Sequence, residues 1–113
     1  MILNNKIEST EKREHVRHNC EAVLEWSYFN KAKFWDAKLL NFSESGAYLE
    51  TGHELKPGVT IFMKIIMLPS STIDSLEHVH PRSISLGDVQ WCVYLSGKGH
   101  SRYGVGIRFP FSN

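Results

Sequence analysis

Residues 89–109 read VQWCVYLSGKGHSRYGVGIRF, and this stretch decides the fold class. Val89, Trp91, Val93 and Leu95 alternate with Asp88, Gln90, Cys92 and Tyr94, and after the polar run SGKGHS the same rhythm resumes. There Tyr103, Val105, Ile107 and Phe109 alternate with Gly104, Gly106 and Arg108. Side chains that repeat every second residue line one face of an extended chain, so the pattern is that of two β-strands joined by a turn. Glycines at alternate outward positions of the last strand weaken it by about 0.5–1 kcal/mol each relative to alanine. What they offer in return is a sharp bend or a close approach by another group.

The same period runs upstream. Ala22, Leu24 and Trp26 share a face opposite Val23 and Glu25, and SYFN makes a turn before Lys31. Trp35, Ala37 and Leu39 alternate with Asp36, Lys38 and Leu40 and run into NFSESG at 41–46, whose small polar residues favour a turn or bulge. A brief strand is expected over 47–50. HELKPG follows, with Pro57 and Gly58 in a tight bend. Val59, Ile61, Met63, Ile65 and Met67 then point one way, with Thr60 and Lys64 opposite. PSSTIDSLEHVHPR, residues 69–82, carries two prolines and no sustained period, and reads as a long excursion with one helical turn around SLEHVH. Six short antiparallel strands, each with one apolar face, are best satisfied by curling into a small all-β barrel that hides its edges.

The chain of 113 residues has 42% hydrophobic and 22% charged residues, the size and composition of one globular domain with a modest core. Residues 1–18 are polar and charged and read as an arm, with the flexible part expected over 1–10 and a single domain over 11–113. Thirteen lysines and arginines nearly balance twelve acidic residues. That argues against a protein coating DNA or RNA by neutralising many phosphates, so an anion site must be local. Two cysteines, Cys20 and Cys92, and a polar N-terminus without a signal-peptide pattern fit a reduced cytoplasmic protein. No apolar run approaches the roughly 20 residues that span a bilayer, so no direct membrane insertion is expected.

Two short patterns carry chemistry. Arg13 and Arg17 frame REHVR just before the first strand, flanked by Lys12 and His18. Asn41, Ser43 and Gly46 form N-x-S-x-x-G after the second strand. Taken singly, the first is a solvated basic turn and the second a bulged β-turn. Asparagine and serine supply short hydrogen-bonding groups, and glycine permits positive φ or close approach. His15, His18, His78 and His80 with Cys20 tempt a metal reading, but neither C-x-x-C nor H-E-x-x-H accompanies them, so no metal is expected. Cys92 has no identifiable partner and no G-x-S-x-G elbow is present, so no catalytic residue is assigned and no enzyme is expected.

Taken together, RxxxR before strand one, NxSxxG after strand two, KPGVTIFMKI into strand four, VQW in strand five and the closing YGVGIRF resemble the PilZ family from Glu11 to Phe109. The resemblance implies a six-stranded barrel that binds the bacterial second messenger cyclic di-GMP and no further cofactor. It also implies a protein partner in motility, exopolysaccharide synthesis or virulence. On that resemblance Arg13 and Arg17 divide phosphate and guanine between them. A guanidinium both forks onto phosphate and stacks or pairs with a purine, which lysine cannot do. Asn41 reads a guanine edge, Ser43 hydrogen-bonds base or phosphate, and Gly46 keeps the wall free of side chain. Trp91 either stacks on a guanine or, sharing a face with Val89 and Val93, packs into the core. Lys12 either attracts phosphate or is solvated, and Arg108 covers barrel surface. Two other readings compete: a PilZ-like interaction module that binds no nucleotide, and a small barrel for single-stranded nucleic acid. The latter is weakened by near-neutral charge and the lack of a solvent-facing aromatic stripe.

Overall fold

The computed structural model describes residues 16–68, 81–95 and 102–110. The expected arm over 1–10, Lys12, Arg13, and most of the excursion at 69–82 lie outside the described residues. The strands are β1 (His18–Tyr28), β2 (Trp35–Phe42), β3 (Gly46–Thr51), β4 (Thr60–Met67), β5 (Ile84–Leu95) and β6 (Arg102–Arg108). All neighbours are antiparallel, in the closed order β1-β2-β3-β6-β5-β4. The described residues contain no helix, and so none long and apolar enough to cross a membrane.

Period two sets which side chains turn inward. Cys20, Ala22, Leu24 and Trp26 of β1, Ala37 and Leu39 of β2, Leu49 of β3, Ile61 and Met63 of β4, and Val105 and Ile107 of β6 are all buried in one core. Trp26 is wholly enclosed, and its indole N–H is not stranded. Nε1 donates to Thr51 Oγ1 at 3.1 Å, and that hydroxyl donates in turn to the Asp36 carbonyl at 2.8 Å. Leu55, from the β3–β4 connection, is buried as well. The expected turns are where they should be. Lys31 N–H donates to Tyr28 O with Asn30 at φ 69°, and Val59 N–H donates to Lys56 O with Gly58 at φ 96°. Positive φ at the third residue is the type II signature that favours Asn or Gly there.

The structure departs from strict alternation where strands carry an extra residue. Between Val89 paired with Ile107 and Trp91 paired with Gly106, β5 holds one more residue than β6. Val89 is therefore buried while Trp91 and Val93 face outward, and the face expected to run Val89–Trp91–Val93 is split. Core packing of Trp91 is thus corrected: the indole is 45% exposed. In β2, Leu40 has no partner on β3, so Leu39 points in and Asn41 belongs to the outer row. In β4 the ladder to β1 skips Ile66, and Met67, expected on the inner face, is exposed. Such bulges add local twist and bend, which a six-stranded sheet needs in order to close. β1 also begins at His18, upstream of the expected start at Glu21, because it pairs with the end of β2 through His18–Phe42 and Asn19–Asn41.

Closure runs through β6, which pairs with β3 on one side and β5 on the other. At Gly46 the two backbones come so close that a Cβ would collide with the Ile107 carbonyl oxygen. Gly46→Ala is expected to lower stability by about 1–3 kcal/mol, the range for overpacking a fitted site, read as a lower urea midpoint without any ligand. Leu24→Ala, at a position 1% exposed in the barrel centre, is expected to cost about 2–5 kcal/mol in the same assay.

Candidate functional site

The loop between β2 and β3 is short and self-supporting. Ser43 N–H donates to the Gly46 carbonyl at 2.8 Å, and Ser45 N–H donates to Ser43 Oγ at 3.2 Å, a serine side chain closing its own turn. Ser43 is buried, and its hydroxyl also lies 3.2 Å from that of Ser45. The Phe109 N–H donates to the Ser45 carbonyl at 2.8 Å, tying the end of the chain's last strand to this turn. Ser43 and Gly46 thus hold a rigid corner, and the requirement for glycine comes from the approach of β6. Asn41, one residue before Phe42 at the base of the corner, is carried on β2 with its side chain only partly covered.

Arg17 stands immediately before β1, and its Nη1 donates to Asn41 Oδ1 at 2.8 Å. Arg17 of the first pattern and Asn41 of the second, 24 residues apart, therefore meet at one point of the surface. Antiparallel pairing extends that point into a row. Asn19 pairs with Asn41, Asn41 with Tyr48, Tyr48 with Gly106, and Gly106 with Trp91. The Arg17 guanidinium just before β1, the Asn41 amide on β2, the Tyr48 phenol on β3 and the Trp91 indole on β5 thus occur in order across the outer face. Adjacent strands are about 4.8 Å apart.

Tyr48 is the member that sequence reading missed. Its ring centroid is 5.8 Å from that of Trp91, with planes 30° apart. Both rings occupy the strip over β6 left bare by two glycines: a Cβ on Gly104 would run into Tyr48, and one on Gly106 into Trp91. The Tyr48 hydroxyl donates to Glu50 Oε2 at 3.1 Å, and Glu50 Oε1 accepts from Arg102 Nη2 at 3.4 Å. Partial burial, the hydrogen bond to Glu50 and its negative charge push the Tyr48 phenol above its usual range, with Arg102 opposing. Tyr48 is therefore a neutral hydrogen-bond donor at ordinary pH. The only advance signal for it was the alternation of glycines in YGVGIRF, which leaves room for rings from neighbouring strands.

The remaining candidates lie apart from this row. His18 packs against Phe42 with ring centroids 5.3 Å apart, and Cys20 is buried, where desolvation first and Glu21 second push its thiol pKa up. Arg108 is exposed on the last strand. Arg13, Lys12, His15, His78 and His80 lie outside the described residues.

A family model described as the PilZ domain matches residues 11–112, nearly the whole chain. A search of curated proteins gave no match. The chain belongs to the PilZ domain family, whose members are generally cyclic di-GMP-binding modules that act as effectors.

Proposed function

We propose that this PilZ-domain protein is a cyclic di-GMP receptor whose ligand is gripped by Arg13, Arg17 and Asn41 beside the corner built by Ser43 and Gly46. On this reading its arm closes over the bound nucleotide, and a protein partner in a motility, exopolysaccharide or virulence pathway responds to the altered surface. The observation that carries the reading is the 2.8 Å hydrogen bond from Arg17 to Asn41. It joins Arg17 of RxxxR to Asn41 of NxSxxG on the same outer face as a half-exposed indole.

The chemistry suits a cyclic purine dinucleotide. Each phosphate takes a forked guanidinium, and guanine offers O6 and N7 to a second fork. Asn41 can accept from a guanine N–H through Oδ1 and donate through Nδ2, once Arg17 turns from the amide to the stronger phosphate or base acceptor. The bond that Arg17 gives up is charge-assisted but solvent-exposed, and it is exchanged for another charge-assisted bond to an anionic or base acceptor. The turn's own hydrogen bonds hold Ser43 Oγ, so Ser43 contributes chiefly by fixing the corner. Trp91 presents a π-face for a base, and base–aromatic contacts contribute about 1–3 kcal/mol each. Lys12 adds long-range attraction for phosphate. Micromolar affinity needs about 8.2 kcal/mol. At about 1.5–3 kcal/mol per charge-assisted hydrogen bond, several must form together, which leaves neither arginine dispensable.

Calorimetric titration of the purified protein with cyclic di-GMP is expected to give saturable heat, and the inflection reports one or two ligands per chain. Arg13→Ala and Arg17→Ala are each expected to weaken binding at least about tenfold, equivalent to about 1.4 kcal/mol. The unfolding free energy of Arg17→Ala from urea titration is expected to stay within about 0.5 kcal/mol of the parent's, because Arg17 is exposed. Absence of heat at high micromolar ligand would sink the proposal and favour an interaction module that binds no nucleotide.

A further inference from the structure

We infer that Tyr48 is a positioning residue of the ligand site. It holds the Trp91 indole down over Gly106 and extends it into a two-ring surface on which a purine stacks. This inference rests on the nucleotide-binding reading above and adds to it a residue that neither sequence pattern contains.

The outer strip of β6 is bare at Gly104 and Gly106. A strand whose outward positions are glycine exposes bare backbone to water, and a flat ring laid over it recovers buried area on both sides. Here β3 supplies a ring over Gly104 and β5 supplies one over Gly106. The two rings are neighbours over β6, with centroids 5.8 Å apart and planes 30° apart, within the range of favourable aromatic pairs. The indole is thereby bounded by β6 beneath and by the phenol on one side, which limits the rotamers open to it. A half-exposed tryptophan without such a neighbour must lose side-chain entropy when a base settles on it.

The phenol is itself fixed. Its hydroxyl is tied to Glu50, which also meets Arg102, and its strand position is directly opposite Asn41. Tyr48 therefore stands between the polar grip, Arg17 with Asn41, and the indole. A purine whose edge is read at Asn41 has its face directed along the row toward these rings. The contact is indifferent to which base stacks, since every base has a π-face. Discrimination for guanine stays with the arginines and Asn41, and Tyr48 contributes affinity.

The test compares Tyr48→Phe and Tyr48→Leu with the parent by calorimetry against cyclic di-GMP, together with iodide quenching of tryptophan fluorescence in the free proteins. Trp26 is wholly buried and Trp35 is partly covered by its stacking on Trp26 and His53, so a change in quenching reports chiefly on Trp91. The phenylalanine variant keeps the ring and is expected to bind within about threefold of the parent. The leucine variant fills the space over Gly104 without a π-face; it is expected to bind about tenfold more weakly and to quench more strongly. If Tyr48→Leu fails to fold, Gly104→Ala replaces it, because the added methyl displaces the Tyr48 ring, and the same losses are expected. Leucine-variant binding and quenching equal to the parent's would overturn the inference. Lack of binding by the parent itself would instead overturn the nucleotide reading, while the quenching comparison would still decide whether Tyr48 positions Trp91.

Discussion

The barrel is closed by β6, and the way β6 meets its two neighbours constrains everything on the outer face. Against β3 it approaches until no Cβ is tolerated at Gly46, and its own outward positions at Gly104 and Gly106 are bare. Side chains there would meet the Tyr48 and Trp91 rings. As built, it draws in the corner at 43–46, which the Phe109 N–H ties down, and leaves a trough that rings from both flanking strands fill. The corner and the rings thus both depend on β6, the corner on its backbone at Ile107 and the rings on its bare positions at Gly104 and Gly106.

The second device is the extra residue. A sheet of six strands closes only if it bends, and the bends here are taken up by single unpaired residues in β2, β4 and β5. Because side chains alternate with period two, each insertion also exchanges faces beyond it. The insertion at Leu40 sends Asn41 outward, and that in β5 sends Trp91 outward, at matching levels of the ladder. The bends that close the core therefore also assemble the surface row.

The arrangement distributes tasks among unlike groups. Arg17 and Asn41 are partly or fully exposed and joined by one short hydrogen bond, a contact that solvent or a phosphate readily replaces. Tyr48, Trp91 and the 43–46 corner are held by packing and by backbone hydrogen bonds, which do not yield so easily. A site of this kind keeps its frame and rearranges its charges.

Much of this was legible before any coordinates. Period two, broken by SYFN, NFSESG and KPG, marks strands and turns, and the need to hide edges makes a barrel of them. The patterns at Arg13–Arg17 and Asn41–Gly46 point to cyclic di-GMP only through resemblance to the PilZ family, since each alone is an ordinary turn. Sequence could not say that Trp91 leaves the face of Val89, that Asn41 stands on the outer row opposite Tyr48, or that Tyr48 belongs beside them at all. Those facts depend on register, and register is set by which residue is left unpaired when distant strands meet. Local alternation determines the elements and their apolar faces, because it is a property of neighbouring residues. Barrel closure decides which polar and aromatic groups share a surface, because that depends on pairing between strands far apart in the chain.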